Sequence, residues 1–239
     1  MAVVRALFLT DPYIVFSTIF FGAIGFLVSL FDKIGNSQIS VARVWARGIL
    51  FVAGVRVQAE GIDKLKPGAS YVIAANHSSY MDTPVILSTM PMQFRFLAKD
   101  GLFKIPFLGS HLRSAGHIPV PREDPRAAVK TMTEAAKNIR EKSISMLIFP
   151  EGGRTPDGEL KEFKEGVAYI AIKAGVPVIP VAITGTRAVV PIHSGIVKPG
   201  KVIIRIGEPI ETAHLTIRDR ERLTEQVRRQ IVAMLETAQ

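Results

Sequence analysis

Among its 239 residues the chain has no cysteine. Thiol nucleophiles, Fe–S clusters, cysteinyl zinc sites and disulfides are therefore excluded, and any catalysis must use oxygen and nitrogen groups. Acidic side chains are also in short supply: 21 Asp and Glu stand against 30 Lys and Arg, a net charge of +9 with a pI near 9.9. With 48% apolar and 21% charged residues, the chain is neither disordered, collagen-like nor low in complexity, and it can bury a full core. At about 150 residues per domain, its length implies one sizeable domain plus an appendage. Mean hydropathy is +0.26, high for so basic a chain. Basic charge alone would suggest nucleic acid; combined with this apolar content it points to an anionic membrane surface, so nucleic acid is not an expected partner.

Charge is missing altogether from Pro12 to Phe31, a run of 20 residues. As a helix this run would be roughly 30 Å long, the thickness of a hydrocarbon core. A cleaved secretory signal fits poorly, because Asp11 precedes the run, Arg5 alone marks a basic start, and no small-x-small site follows. A buried core helix is the second alternative, since Ser17, Thr18, Gly22, Gly25 and Ser29 dilute the run. Membrane association is the favoured reading. Further on, Val41 to Val57 reads as a basic amphipathic helix with Arg43 and Arg47 on one face and Trp45 beside them. Together the two segments make an expected membrane-associated helical hairpin over 1–57. Lys33, Arg43, Arg47 and Arg56 outweigh Arg5, which keeps the remainder on the cytoplasmic face, expected to be that of a bacterial inner membrane.

From about Gln58 the texture becomes short apolar runs separated by helical periods, an α/β pattern. Strands are expected over 70–75, 94–97, 145–149, 176–183 and 201–206, and helices over 81–89, 125–142, 164–174 and 216–238. Thr216 to Asp219 has the form of a capping box opening the last helix, whose Leu223, Val227, Ile231 and Leu235 recur every four residues. The expected fold is a mixed, mostly parallel sheet flanked by helices, with the main domain over 58–239.

Asn76-His77-Ser78-Ser79-Tyr80-Met81-Asp82 follows an apolar strand and precedes a helix, so it lies at a strand's C-terminal edge, where α/β folds keep their sites. His77 and Asp82, five residues apart, would point about 140° apart on one helix. His77 must therefore sit in the turn. With Ser78 or Ser79 as cap, Asp82 falls in the helix's first turn and its carboxylate leans back toward His77. Such a pair fixes one imidazole tautomer and frees the other nitrogen as a general base. A structural histidine or a capping aspartate would give the same spacing. No G-x-S-x-G elbow or other serine nucleophile accompanies the pair, so the base would act on a substrate hydroxyl or on water. One His and one Asp are too few ligands for a metal, and none is expected. His111, His117, His193 and His214 have no carboxylate at comparable spacing and read as structural or surface residues.

Phe149-Pro150-Glu151-Gly152-Gly153-Arg154-Thr155 follows a second apolar strand. Gly152 and Gly153 would let the backbone approach an anion while the Arg154 guanidinium binds it bidentately, although an ordinary glycine turn would look alike. From Phe94 to Lys130, seven cations (among them Lys99, Lys104 and Arg122) face three carboxylates, a net of +4. Phe96, Leu97, Phe103, Ile105, Phe107 and Leu108 interleave with them, which suits a ligand with an anionic head and an apolar tail.

The order of these motifs resembles the 1-acylglycerol-3-phosphate acyltransferase, or lysophosphatidic acid acyltransferase, family of glycerolipid acyltransferases. Asn76 to Asp82 is similar to its N-H-x-S-x-x-D block, Lys99 to Arg122 to the second, Phe149 to Thr155 to F-P-E-G-T-R-S, and Val178-Ile179-Pro180-Val181 to the fourth. The resemblance covers about Val55 to Ile210. Gly153 replaces the usual threonine, Thr155 the serine, and Pro119 an aromatic or aliphatic residue. The resemblance implies transfer of a fatty acyl chain from acyl-CoA or acyl carrier protein to a lysophospholipid hydroxyl, giving phosphatidic acid, with no cofactor beyond that co-substrate. In this expectation His77 and Asp82 are catalytic, and Arg154, Arg122 and Lys104 hold the phosphate over Gly152 and Gly153. Glu151 fixes the loop or a glycerol hydroxyl, and Asn76 helps position substrate. The other candidates are the same transfer onto glycerol 3-phosphate, a lyso-ornithine lipid or a lysocardiolipin, a metal phosphoesterase, and a non-catalytic lipid-binding protein.

Overall fold

The computed structural model describes residues 2–32, 34–105, 108–121, 124–154, 159–192 and 194–237. The apolar N-terminus is helical for longer than the charge-free run: α1 (Ala2–Arg5) passes through a π-helical turn, Ala6–Thr10, into α2 (Asp11–Ser29). Pro12 at the start of α2 lacks an N–H and crowds the preceding turn, which accounts for the wider winding just upstream. The antiparallel α3 (Asn36–Ala53) follows. The helix expected over Val41 to Val57 thus starts earlier and stops sooner. Gly54 adopts φ 70° and its N–H satisfies Leu50 O and Phe51 O, a left-handed cap that releases the chain into β1 (Val55–Glu60).

The remaining elements in chain order are β2 (Val72–Ala75), α4 (Asp82–Thr89), β3 (Phe94–Lys99), α5 (Leu108–Ser114), β4 (Ile118–Val120), α6 (Pro125–Lys142), β5 (Ser145–Ile148), α7 (Gly166–Ala174), β6 (Val178–Thr184), α8 (Thr186–Val189), β7 (Gly200–Ile206) and α9 (Arg220–Glu236). Seven strands form one sheet in the order β1-β7-β6-β2-β5-β3-β4. All neighbours pair in parallel except β6 with β7, so the sheet is mixed and mostly parallel, as the patterning implies. Each of the central strands is sealed on both faces. In β2, Ile73 and Ala75 join a core with Ile49 and Leu50 of α3 and Val85 and Ile86 of α4. Val72 and Ala74 point to the opposite core, with Ala135 and Ile139 of α6, Val167 and Ala171 of α7, and Val227 and Ile231 of α9. This period of two with no solvent face is what a buried parallel strand requires.

Helix α3 therefore belongs to the covering layer of the α/β body, and α2 lies outside it. Three arginines fasten this layer. Arg5 donates to Val52 O at 2.9 Å, Arg43 to the carbonyls of Met90 and Met92, and the fully buried Arg95 to Ile34 O and Asn36 Oδ1, both at 2.8 Å. Among the described residues Arg95 has only neutral oxygen acceptors; burial pushes its guanidinium down to about 10, opposed by the charge of Asp32, so it remains a cation at neutral pH. Arg43 and Trp45 are correspondingly turned toward protein, Trp45 donating to Thr18 Oγ1 on α2 at 3.2 Å. Of the cations expected to face lipid on α3, Arg47 is the exposed one. At the far end of the chain, Thr216 and Asp219 form the expected capping box, here opening the 3₁₀ turn Ile217–Asp219 that leads into α9.

Candidate active site

Strands β6, β2, β5, β3 and β4 run in one direction, so the turns after β2 and β5 emerge side by side at one edge. His77 sits in the first of these turns. Its Nδ1 lies 2.8 Å from Asp82 Oδ2, and the same oxygen accepts the backbone N–H groups of Ser78 at 2.8 Å and Ser79 at 2.9 Å. Asp82 is itself the first residue of α4 and fully buried; the serine hydroxyls do not cap the helix. The expected cap is thus inverted: the aspartate reaches back to satisfy the donors of the turn that carries the histidine. Ser79 Oγ instead donates to Val190 O at 2.9 Å, and Ser78 Oγ shares a hydrogen bond with Thr186 Oγ1 at 3.0 Å, which ties the turn to the segment after β6. The His77 ring stacks on Phe149 with centroids 3.9 Å apart, and its side chain keeps 19% exposure. One face is covered, one nitrogen is committed, and Nε2 has no partner among the described residues.

Glu151, in the turn after β5, is buried, and both its oxygens go to backbone: Oε1 accepts His77 N–H at 2.6 Å and Oε2 accepts Lys161 N–H at 3.3 Å. Burial raises its carboxyl above the ordinary value, while those two hydrogen bonds and the nearby His77 pull it down. Its carboxylate thus ties the turn after β2 to the loop that follows β5. Asn76 is likewise spent inside the protein. Its amide accepts Ile183 N–H at 2.7 Å and donates to Ile183 O at 3.0 Å, extending the β2–β6 ladder by a side chain and so positioning the turn.

Gly152 takes φ +71°, a conformation that side chains with a Cβ rarely adopt, and a Cβ there would stand 3.2 Å from Lys164 Cε. Beyond the half-buried Gly153, the Arg154 guanidinium carbon lies over the Tyr80 ring, 3.4 Å from its centroid. His77, Asp82, Glu151, Gly152 and Arg154 are therefore brought together. Lys104 is not: it is 79% exposed and pairs with Asp100 at 3.6 Å. Arg122 lies outside the described residues, as do Lys33, Phe107, Thr155 and His193. The sequence carries no local signal for Tyr80, Lys161 or Lys164, because the groups they meet stand 74, 10 and 12 positions away, across two turns for Tyr80 and across one long connection for the lysines.

Beside Phe149 opens a groove of about 550 Å³ between α6, α7 and the edge strands, lined mainly by apolar side chains such as Leu97, Val129, Met132 and Tyr169, with Lys99, Lys164 and Arg220 among its walls. Its size is that of a small-molecule site. His117 is a half-buried structural residue: its Nδ1 accepts Phe96 N–H at 3.0 Å, and desolvation of the ring, with Arg95 and His111 adding, pushes it down to about 3.

The acyltransferase family profile matches residues 56–184, more than half of the chain and including both turns. The chain belongs to the acyltransferase family. Among relatives, this acyltransferase-family chain is 32% identical over 192 residues to a 1-acyl-sn-glycerol-3-phosphate acyltransferase of Borreliella burgdorferi, covering 79% of this chain and 75% of that one. It is 34% identical over 186 residues to the chloroplast 1-acyl-sn-glycerol-3-phosphate acyltransferase BAT2 of Brassica napus, covering 77% of this chain and 53% of the other. The chain spans about half the length of such chloroplast relatives. Among solved structures, the crystal structure of the 1-acyl-sn-glycerophosphate (LPA) acyltransferase PlsC of Thermotoga maritima superposes with a TM-score of 0.81 at 28% identity, over 100% of this chain and 98% of that one.

Proposed function

We propose that this chain transfers a fatty acyl group from a thioester donor, acyl-CoA or acyl carrier protein, to the sn-2 hydroxyl of 1-acylglycerol 3-phosphate, forming phosphatidic acid. The observation that carries the reading is the 2.8 Å contact between His77 Nδ1 and a buried carboxylate, with the other ring nitrogen uncommitted among the described residues. In this reading His77 Nε2 takes the hydroxyl proton and the oxygen attacks the thioester carbonyl carbon. The C–S bond breaks, and the departing thiolate recovers the proton from the imidazolium, which Asp82 steadies throughout. A thioester already carries a good leaving group, so no acyl-enzyme and no cofactor are needed. Arg154 holds the phosphate beside Gly152 and Gly153. The apolar groove beside Phe149 is the place for an acyl chain.

Support for a membrane setting comes from the stretch Val3–Ser29, which is long and apolar enough to cross a bilayer. Yet α2 runs along α3, and α3 is part of the core, so a perpendicular crossing would tear α2 from the body. We therefore read α2 as lying within one leaflet of the membrane. Withdrawing Phe8, Phe16, Phe20, Phe26 and Phe31 from water offers roughly 10 kcal/mol at about 1.5–3 kcal/mol each.

Purified protein incubated with a panel of acyl donors and liposomal lysolipids, the products identified by mass, tests the function. Phosphatidic acid is the expected product, and His77→Ala should lose about 10²–10⁴ of turnover, the usual worth of a general base. Wild-type turnover in that variant would remove the mechanism, and an absence of acylated phosphate-bearing lipid would remove the function.

A further inference from the structure

Within the turn that carries the base, Tyr80 is the odd residue. Asn76 to Ser79 are buried or half-buried, as are Met81 and Asp82, whereas Tyr80 is 66% exposed. Its ring is not used for the core; the Arg154 guanidinium covers it at 3.4 Å. We propose that Tyr80 is a positioning residue that holds Arg154 in place for the phosphate of the acyl acceptor, an inference that rests on the reading of Arg154 as the phosphate anchor.

The argument is one of geometry. A guanidinium carries all its N–H groups in its own plane, so stacking on an aromatic ring occupies a face and leaves the edges aimed outward for a phosphate fork. An arginine at the surface otherwise samples many rotamers, and ordering it opposes binding. The stack removes that cost beforehand. It also sets a distance. Two of the contacts that join the turn after β2 to the turn after β5 bear on the acceptor: Glu151 Oε1 holds His77 N–H at 2.6 Å, and Arg154 lies on Tyr80 three residues further along the same turn. The first connection places the base that acts on the acceptor hydroxyl, and the second places the cation that takes the acceptor phosphate. Since hydroxyl and phosphate sit on neighbouring carbons of the glycerol, one short rigid turn carrying both anchors measures their separation. Tyr80 thereby favours acceptors with a phosphate adjacent to the reacting alcohol.

The test is a double-mutant cycle on the full-length protein in lysophosphatidate liposomes. Tyr80→Leu, which keeps bulk but no ring face, should raise the KM for lysophosphatidate roughly three- to tenfold with little change in kcat. Tyr80→Phe, which keeps the face, should restore KM to within about twofold of the parent. In an Arg154→Ala background, itself of raised KM, Tyr80→Leu should add nothing, and with monoacylglycerol as acceptor it should have no effect on KM. A parental KM for Tyr80→Leu beside a raised one for Arg154→Ala would overturn the role of Tyr80 alone. An equal effect of Tyr80→Leu in both backgrounds would also overturn it, as would reduced binding to lysolipid-free anionic vesicles, which would mark Tyr80 as a membrane contact. A parental KM for Arg154→Ala would instead remove the phosphate reading itself.

Discussion

Three donors converge on Oδ2 of Asp82, while Oδ1 has no partner among the described residues. The carboxylate is thus committed to one direction, toward the imidazole and the two N–H groups behind it, and the ring cannot turn without losing that bond and the stack on Phe149. Glu151 restrains the same histidine through its backbone. Removing that carboxylate would leave His77 N–H unpaired in a half-buried turn, and a small shift of a base away from its acceptor is costly. Glu151→Ala is expected to lose up to about 10²-fold in turnover, whereas Glu151→Gln, whose carbonyl still accepts from His77 N–H, should retain most of it. Equal losses in the two variants would show that the charge contacts substrate. Asp82 announces itself by its spacing from His77. The part played by Glu151 does not, because its hydrogen bond joins residues 74 apart in the chain.

At the scale of elements, the paired helices α2 and α3 divide their labour. Helix α3 gives Ala46, Ile49, Leu50 and Ala53 to the core, and α2 covers part of α3 while leaving Phe16 and Phe20 on its outer side, 70% and 51% exposed. Introducing charge there should not disturb the body. Phe16→Asp combined with Phe20→Asp is expected to weaken co-sedimentation with anionic liposomes at least tenfold, since each phenylalanine forfeits about 1.5–3 kcal/mol of transfer, while the melting temperature changes little. Unchanged sedimentation would detach membrane association from this helix. The helical character of both segments is legible from apolar content and length, but the end of α3 is not. The apolar run continues through Val55 and Val57, and only the left-handed turn at Gly54, met by β7 pairing with β1, converts it to strand.

For the whole molecule, acid is the condition to which the half-buried His111 and His117 respond. An unfolded histidine takes up a proton near 6.5, whereas His117 in the fold holds out to about 3 because burial and the neighbouring Arg95 and His111 disfavour its charged form. Between those values the unfolded state binds more protons, so stability falls as pH falls through 6.5. From pH 7 to pH 5 the loss should be about 2 kcal/mol at roughly 1.4 kcal/mol per pH unit, and His111, also lowered by burial, acts in the same direction. Denaturant titrations at the two pH values check this, with His117→Gln expected to flatten the dependence. A slope unchanged by that variant would place the acid sensitivity elsewhere.

What the amino-acid order determines by itself is local: the strand-to-turn punctuation that exposes His77 and Arg154, the spacing of His77 from Asp82, the two-sided burial of β2, the capping box before α9, and a helical N-terminus too apolar for water. These follow from hydrophobic period, turn chemistry and charge, which act over a few residues. Only the tertiary structure decides that Asn76 and Glu151 are consumed by backbone groups and that Lys104 stands apart with Asp100. It alone decides that Arg43 and Arg95 fasten α3 to the body and that Tyr80 underlies Arg154. Each of those outcomes is a pairing across strands or layers, and the register of a sheet, unlike the period of a strand, is set by the packing of segments remote along the chain.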